Sequence, residues 1–449
     1  MTREPPKPRS RAGRVSLWRY LRLFRADILS AQPERLYGAR MAEFRTPFFR
    51  SYLVNEPDLI RDVLSARPLD FPKSERIGEG LRPLLGRSVF LTNGAVWQRQ
   101  RRIIDPAFEG GRLRDTFPAM LAAGRAAADR LHPGVVEVEA ATSHAAADVI
   151  FRTLFSLPIE DETASRVFAR FRAHQRAQPI LNLAAFVPLP RWMPRFHSRR
   201  TRRTARDIRG LIAGLAEDRQ RRIAAGTAPD DLATKIMTTR DPETGETFST
   251  AEMVDQVAIF FLAGHETSAS ALAWALYLVA THPEAQDRVA AEAAAFMADP
   301  RFSGLSELRF TRDVFRETLR LYPPVPMMVR ETMQPERFRN REVPRGAQVV
   351  VSPWHMHRNP RVWTRPDAFD PERWRDPELK ACPRETYLPF SQGARVCPGA
   401  GFAMAEGPLL LACLLSRWHV APLEGQVPVP VAHLTVRARD GIRLRLSPR

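Results

Sequence analysis

The pattern of hydrophobic and polar positions predicts a chain built mainly from helices, the longest running from about Ser249 to Thr281. Ser249 and Glu252 form a capping-box pattern at its start. Most positions between these ends are apolar, which indicates a helix buried on all sides at the centre of the molecule. Its middle holds Ala263-Gly-His-Glu-Thr-Ser268. A polar cluster inside a buried helix opposes stability, so this cluster indicates a function.

Further elements follow toward the C-terminus. A helix is predicted from about Thr311 to Leu321, and it carries Glu317 and Arg320 on one face. The stretch 354–395 is rich in proline and in aromatic residues. Because it has so much to bury, we expect an ordered wrap with a function rather than disorder. The last long helix is predicted over 398–416.

Strand-like runs are short and fall in three places. The first is Phe49–Val54, followed by a helix over 57–64, and the second is Val343–Val351. The third is the pair Ala432–Ala438 and Ile442–Leu446, which an Asp-Gly turn is expected to join into a hairpin. The elements together predict a mainly α fold with small β-sheets.

The formal net charge is +18, and arginine carries nearly all of the positive charge because the chain has only four lysines. Such a charge suits nucleic acid, an anionic membrane or an acidic protein. The arginines are spread along the chain and no nucleic-acid-binding motif is present, so we expect no nucleic acid. Cys382, Cys397 and Cys413 form no CxxC pair. This indicates a reducing compartment, the cytoplasm, and a single cysteine with a chemical role.

Residues 1–30 are predicted to be a basic N-terminal segment, followed by one catalytic domain over 31–449. The stretch Leu17–Leu29 mixes apolar residues with arginines. It falls short of the roughly 20 apolar residues that cross a bilayer, so we expect no transmembrane span. The stretch is typical of an amphipathic helix that packs on the protein body. Weak contact with a membrane surface is the alternative.

The residues that point to chemistry lie where the wrap meets the last helix, in Phe390-Ser-Gln-Gly-Ala-Arg-Val-Cys-Pro-Gly399. Glycines at 393 and 399 let the backbone approach a bulky flat group. The following helix directs the positive end of its dipole toward Cys397, and Arg395 adds positive charge, so both favour a thiolate. A thiolate pushes electron density onto haem iron and promotes O–O cleavage.

This loop matches Phe-x-x-Gly-x-Arg-x-Cys-x-Gly and resembles the cysteine-loop signature of the cytochrome P450 family at every position. Other family motifs occur in the expected order, namely Trp97-x-x-x-Arg101, Ala263-Gly-His-Glu-Thr267, Glu317-x-x-Arg320 and Phe369-Asp-Pro-Glu-Arg373-Trp. The resemblance extends from about residue 30 to 449. It implies the cytochrome P450 fold, with a long central helix over the haem and the cysteine-ligand loop before the last long helix.

The resemblance also implies roles for single residues. Cys397 is the axial ligand of the iron in haem b. Thr267 and Glu266 order water and deliver protons during oxygen activation, although a buried threonine also commonly bonds to its own helix. The residues expected to bind the rest of the cofactor are Trp97, Arg101, Arg330, Arg395, Phe390, Gly393, Gly399 and Ala263. Those expected to fix the wrap against the core are Glu317, Arg320 and Arg373.

We expect an apolar pocket for a lipophilic substrate such as a fatty acid or a terpenoid. The resemblance takes its walls from the segment before Trp97 and from Phe260–Ala263, Val325–Val329, Ile180–Val187 and Ala432–Leu434. Electrons are expected from a separate ferredoxin or flavodoxin with its own reductase. This acidic partner would bind an arginine-rich surface formed by Arg99, Arg101, Arg102, Arg112 and Arg384.

The sequence therefore predicts a haem-thiolate monooxygenase that activates O2 and inserts one oxygen atom into a C–H or C=C bond. A haem-thiolate isomerase or dehydratase is one alternative, and such an enzyme should lack the threonine at 267. A non-catalytic haem-binding protein is another, which only turnover distinguishes.

Overall fold

A computed structural model describes residues 4–11, 13, 15–45, 50–177, 197–377 and 384–449. Helices make up most of this part of the chain, which confirms the expected mainly α fold. Their bounds are α1 Leu17–Ala26, α2 Pro57–Arg61, α3 Glu75–Leu85, α4 Gly94–Ile104, α5 Gly110–Asp129, α6 Val138–Phe155, α7 Glu162–Ala177, α8 Arg199–Ala224, α9 Leu232–Thr238, α10 Thr250–Ala280, α11 Pro283–Ala298, α12 Arg309–Leu321, α13 Pro353–Met356 and α14 Ala400–Leu415.

The central helix α10 has the predicted bounds. Ser249 caps it, and both hydrogen bonds of the capping box with Glu252 are present. Its N-terminal half packs in one hydrophobic cluster with α6, α7 and α8, and its C-terminal half packs in another with α5, α12 and α14. Residues 263–270 belong to neither cluster. The polar segment that the sequence singled out is therefore the place where α10 leaves the hydrophobic core.

The strands form small sheets. Their bounds are β1 Met41–Arg45, β2 Arg50–Val54, β3 Gly134–Glu137, β4 Met328–Glu331, β5 Glu336–Phe338, β6 Arg341–Val343, β7 Gln348–Val351, β8 Trp418–Pro422, β9 Pro430–Ala432, β10 Val436–Ala438 and β11 Arg443–Pro448. A four-stranded sheet has the order β1-β2-β7-β4, in which β2 and β7 run parallel. The others are β3-β11-β8, β5-β6 and β9-β10.

The predicted C-terminal hairpin is wrong. β10 pairs with β9, placing Val436 opposite Ala432, whereas the strand after the Asp-Gly turn, β11, pairs with β3 and β8. Gly441 does turn the chain, with a φ of 74°. The Glu137 carboxylate accepts from the backbone N–H of Ile442 at 3.3 Å, which draws the chain toward β3 instead of back along β10.

The N-terminal residues contact the body of the protein. The hydroxyl of Tyr322 donates to the carbonyl of Pro6 at 2.8 Å, and Lys7 pairs with Asp367 at 2.8 Å. Trp18 on α1 is 83% exposed. No helix in the described ranges has the length and apolarity needed to cross a membrane. The division of the chain at residue 30 stays a prediction.

Candidate active site

A cavity of about 1220 Å³ lies between α10 and the loop that precedes α14. Ala263, Gly264 and Thr267 line it from α10, and Phe390 and Cys397 line it from the loop. A pocket for one drug-sized ligand measures about 300–1,000 Å³. This cavity therefore has room for a large cofactor together with a substrate.

Cys397 opens onto this cavity from a closed loop. Its backbone N–H donates to the carbonyl of Phe390 at 2.9 Å. Burial raises the pKa of the Cys397 thiol, while the backbone N–H of Gly399 and the charges of Arg101 and Lys73 lower it. Arg395, which was expected to supply this charge, is not among these groups. The thiol is thus held at the cavity wall, and the nearby positive charge comes from other elements.

The expectation that both loop glycines approach a flat ligand is wrong for Gly393. Gly393 has a φ of 69°, and a Cβ there would collide with the backbone carbonyl of Leu64. It does not line the cavity. Gly399 does line the cavity, and a Cβ there would meet only Cys397 Sγ at 3.9 Å. Gly393 therefore fits the loop to the segment after α2, and Gly399 keeps the cavity wall open.

Four cationic side chains line one part of the cavity, namely Lys73, Arg101, Arg330 and Arg395. Burial lowers the pKa of Arg330 to about 10. Burial, with the charges of Arg330 and Arg101, lowers the pKa of Arg395 to about 9. Burial and the same three arginines hold the pKa of Lys73 well below its usual value. The four groups are close enough to repel one another.

Three of these cations have no ion-pair partner among the described residues. Lys73 donates to the carbonyl of Phe90 at 2.9 Å, and Arg395 donates to the Asn93 side chain at 2.7 Å. The hydrogen bond of Arg330 is a long one, 3.4 Å, to its neighbour's carbonyl. Arg330 is buried and the other two are partly buried, and a cation removed from water without an anion is costly. The cluster therefore fits a ligand with anionic groups, such as the two propionates of haem b.

Trp97 and Arg101 connect α4 to the cysteine loop. The Arg395 guanidinium lies 4.1 Å over the ring of Trp97, a cation–π contact. Arg101 donates to the carbonyl of Val396 at 2.7 Å and pairs with Asp105 at 2.8 Å. Arg101 is thus partly neutralised within the chain and holds the residue next to Cys397.

The predicted pair Glu266 and Thr267 lines the cavity, and the two side chains have different partners. The Thr267 hydroxyl, on the cavity wall, donates to the carbonyl of Ala263. Glu266 is 6% exposed and pairs with Arg437 of β10 at 2.8 Å. Burial raises the pKa of Glu266, and the charge of Arg437 lowers it. Both Glu266 and Thr267 therefore line the cavity, and Arg437 of the C-terminal strands holds the carboxylate of Glu266.

Gly264 and His265 in the same segment serve packing. A Cβ at Gly264 would collide with the side chain of Ile150 on α6, so glycine permits the close approach of α6 and α10. His265 is buried, and its Nε2 lies 2.7 Å from the hydroxyl of Ser143. Burial lowers the pKa of His265 to about 3, so it stays neutral. Gly264 thus permits close packing of α6, and the contact with Ser143 gives one nitrogen of the buried His265 imidazole a partner.

Sequence reasoning missed Glu406 and Lys73, both of which line the cavity. Glu406 is 1% exposed and accepts a hydrogen bond from the Ser268 hydroxyl at 2.7 Å. Burial raises its pKa to about 8, so it carries a proton at neutral pH. The sequence contained a signal for both residues, since Glu406 is the single charged residue in the apolar helix α14 and Lys73 is one of only four lysines in the chain.

The structure brings Glu317, Arg320 and Arg373 together. Arg320 pairs with Glu317 at 2.8 Å and Arg373 pairs with it at 3.3 Å, with all three side chains buried. Arg320 also donates to the carbonyls of His357 and Pro366 at 2.8 and 2.6 Å. The network thus joins α12 to the wrap that leads to Cys397.

The predicted pocket walls line the cavity where the structure describes them. Those residues include Leu81, Leu84, Phe90, Phe260, Val325, Met327, Met328 and Leu434. The predicted wall over residues 180–187 lies outside the described residues, as does Cys382.

Most of the arginines predicted to form the docking surface are ion-paired within the chain, and the docking of an acidic partner stays a prediction. Arg99 pairs with Glu252 at 2.7 Å, and Arg102 pairs with Asp241. Arg101 pairs with Asp105, and Arg112 pairs with Asp230. Four of the five arginines are therefore neutralised by acids distant in sequence or one turn away, which composition alone does not reveal.

Comparison with known proteins agrees with the fold and the site. A sequence model of the cytochrome P450 family matches residues 41–445. The chain therefore belongs to the cytochrome P450 family. Members of this family bind haem through a cysteine thiolate and act as monooxygenases, so the cofactor and the reaction class expected from the sequence are confirmed.

Individual relatives are similar over most of their length. Cyclooctat-9-en-7-ol 5-monooxygenase from Streptomyces melanosporofaciens is 33% identical over 393 residues, which covers 86% of this chain and 83% of the relative. Cyclooctatin synthase from the same organism is 31% identical, and the match covers 86% of this chain and 84% of the relative. Cytochrome P450 4A11 from Homo sapiens is 30% identical, and the match covers 87% of this chain and 78% of the relative. The crystal structure of the cytochrome P450DA heme domain superposes with a TM-score of 0.82, and the match covers 99% of this chain and 98% of that one. At 23% sequence identity this similarity supports the fold alone.

Proposed function

We propose that this enzyme inserts one oxygen atom from O2 into a lipophilic, terpenoid-like molecule and that Cys397 is the axial ligand of its haem b. The observation that carries the proposal is the opening of Cys397 onto a cavity that also collects three cations without an ion-pair partner among the described residues, one of which, Arg330, is buried. When bound, the haem supplies the iron at which O2 is activated.

The cation cluster would hold the cofactor's propionates. Lys73, Arg330 and Arg395 offer charge-assisted hydrogen bonds, which are about twice as strong as neutral ones. Arg101 and Trp97 support this end of the site by fixing Val396 and Arg395. The residues proposed to pack against the cofactor face are Ala263, Phe390 and Gly399, and Gly393 supports them by shaping the loop.

Thr267 is proposed to position water or the oxidant. Because its own hydrogen is donated to Ala263, its oxygen is left to accept a hydrogen bond from the cavity. It passes a proton on only after its hydrogen turns toward the cavity. Glu266 and Glu406 are buried carboxyl groups that line the same cavity. The presence of this threonine argues against the isomerase and dehydratase alternatives.

A terpenoid is favoured over a fatty acid because two arginines that line the cavity are engaged by acids and do not offer their charge to a fatty acid carboxylate. Arg45 and Arg437 line the cavity, yet they pair with Glu43 and Glu266 at 2.7 and 2.8 Å. The names of the two Streptomyces relatives also refer to cyclooctatin chemistry.

Electrons are proposed to come from a separate ferredoxin or flavodoxin with its reductase, and the enzyme is proposed to work in the cytoplasm. Val396, which directly precedes Cys397, is 37% exposed, so a partner docked there would approach the ligand loop closely. A docking surface is supported by exposure of this loop and by the net charge of +18. Reduction by a purified ferredoxin and by a flavodoxin, each with its reductase, distinguishes the two.

Turnover under ¹⁸O2 tests the function. The purified enzyme is mixed with a surrogate ferredoxin, its reductase and NADPH, and then with a cyclic diterpene alcohol or with a C16 fatty acid. We expect one ¹⁸O atom in the product and faster turnover of the diterpene. Cys397→Ala should form no product, and Cys413→Ala is its matched control, since Cys413 is buried in the core. Products that carry no ¹⁸O would contradict the monooxygenase assignment, and preference for the fatty acid would contradict the substrate class.

A further inference from the structure

One wall of the cavity is formed by the loop between α3 and α4, residues 86–93. Val89 and Phe90 of this loop line the cavity, as does Leu84, which lies just before it on α3. Leu84 is buried and packs in the same hydrophobic cluster as the N-terminal half of α10. The position of the loop relative to α10 therefore sets how much room the cavity has on this side.

Two adjacent side chains of α10 hold the backbone of this loop. Asp255 is nearly buried, and its Oδ2 accepts the backbone N–H of Arg87 at 2.7 Å. Gln256 is buried, and its Oε1 accepts the backbone N–H of Val89 at 2.9 Å. A Cβ at Gly86 would collide with the Asp255 carboxylate, so the absence of a side chain there lets the loop lie this close to α10.

An arginine of α8 contacts both this carboxylate and the end of α3. Arg209 Nη2 lies 2.7 Å from Asp255 Oδ1, and Arg209 Nη1 donates to the carbonyl of Leu84 at 3.0 Å. Leu84 is in the last turn of α3, where carbonyl groups lack a partner within the helix. The guanidinium thus joins α8 to α3 and to α10, although neither Arg209 nor Asp255 lines the cavity.

The ion pair is partly withdrawn from water. The Arg209 side chain is 29% exposed and the Asp255 side chain is 12% exposed. Ion pairs on the open surface contribute little because water and salt screen their charges, whereas each partner of this pair also has a hydrogen bond to backbone, at Leu84 and at Arg87. Loss of one partner should therefore move the backbone that the pair holds.

We propose that Arg209 is a positioning residue that, through Asp255 and Leu84, fixes the loop between α3 and α4 against α10 and thereby limits the size of the molecules that the cavity accepts. The inference rests on the proposed function, since it concerns the substrate part of the same cavity. Without the guanidinium, the carbonyl of Leu84 loses a hydrogen bond and Asp255 loses the positive charge beside it. The loop is then free to move away from α10, and Val89 and Phe90 leave room for bulkier molecules.

Binding of two azoles of different size to the haem-loaded enzyme tests the inference without turnover. Imidazole and the much bulkier clotrimazole both ligate haem iron, and the shift of the Soret band gives a dissociation constant for each. In Arg209→Met we expect the ratio of the clotrimazole constant to the imidazole constant to fall by about tenfold or more, the discrimination that a pocket achieves for a single methylene. Arg209→Lys should restore most of the wild-type ratio because it keeps the charge, and Arg206→Met, at an exposed position of the same helix, should leave the ratio unchanged.

Asp255→Asn is the second variant, since it keeps an acceptor for the backbone N–H of Arg87 and removes only the charge. The ratio should fall in this variant too, and it serves alone if Arg209→Met does not retain haem. Arg209→Met combined with Asp255→Asn should lower the ratio no further than the larger single effect, because both changes break one interaction.

A ratio that equals the wild-type value in both single variants would overturn the inference, even where urea unfolding shows both to be less stable, because a purely structural ion pair has that signature. Effects of the two changes that multiply in the double variant would overturn it as well. If the ratio falls and the wild type forms no oxygenated product, the proposed function fails while the positioning of the loop by Arg209 stands. If the wild type forms the product and the ratio does not fall, the positioning role alone fails.

Discussion

Replacing Arg330 with Met should have opposite effects on the haem-free and haem-bound protein. Burial lowers the pKa of Arg330 to about 10, which is about 2.5 below its usual value, and each pKa unit corresponds to 1.36 kcal/mol. At pH 7 the guanidinium is charged in both the folded and unfolded states, so the folded haem-free protein carries a cost of about 3 kcal/mol. Arg330→Met removes that cost, and we expect the haem-free protein to gain about 1–3 kcal/mol after the lost packing is subtracted.

The haem-bound protein should change in the other direction. A charge-assisted hydrogen bond is lost, worth about 1.5–3 kcal/mol, so haem should leave Arg330→Met at least about tenfold faster. Urea unfolding of the haem-free protein and transfer of haem to excess apomyoglobin measure the two effects. Arg337→Met, at an exposed position of β5, is the matched control. Destabilisation of the haem-free variant, or unchanged haem transfer, would refute the claim that Arg330 is a buried cation kept for an anionic cofactor.

Three further predictions concern stability and use urea unfolding, of the haem-bound enzyme for the first two and of the haem-free protein for the third. Glu317→Gln should cost about 3–5 kcal/mol, because it leaves two buried guanidinium groups unpaired, and a loss under about 1 kcal/mol would contradict the network. Burial lowers the pKa values of His355 and His357 to about 3, so each is neutral when folded and gains a proton only when unfolded below about pH 6.5. Stability should therefore fall as the pH drops from 6.5 toward 3, by about 2 kcal/mol per histidine at pH 5, and an unchanged unfolding midpoint at pH 5 would refute this. In the haem-free protein, Gly393→Ala should cost about 2 kcal/mol or more from strain at a positive φ, whereas Gly399→Ala should cost under about 1 kcal/mol, and equal costs would contradict the distinction drawn between them.

The features that the sequence predicted correctly depend on local signals. The bounds of α10 follow from the Ser249 and Glu252 capping box and from an apolar run that continues to Ala280. The ligand loop was found because its residues are adjacent in sequence. The haem-thiolate class follows from that loop, and it needed no knowledge of the tertiary structure.

The features that could not be predicted depend on contacts between distant parts of the chain. Composition cannot show that Arg102 meets Asp241 or that Arg437 meets Glu266, because both pairings join elements that are distant in sequence and exist only in the folded chain. The requirement for glycine at 393 likewise comes from Leu64, more than 300 residues earlier. The Asp-Gly turn was recognised correctly, but the partner of the strand after it is chosen by Glu137 and β3.

The ferrous carbon monoxide difference spectrum tests the central claim most directly, recorded for the wild type, Cys397→Ala and the control Cys413→Ala. The account predicts a strongly red-shifted Soret band in the wild type and in Cys413→Ala, and loss of that band in Cys397→Ala. A band that survives in Cys397→Ala, or a purified wild type that binds no haem, would contradict the assignment of Cys397 as the thiolate ligand.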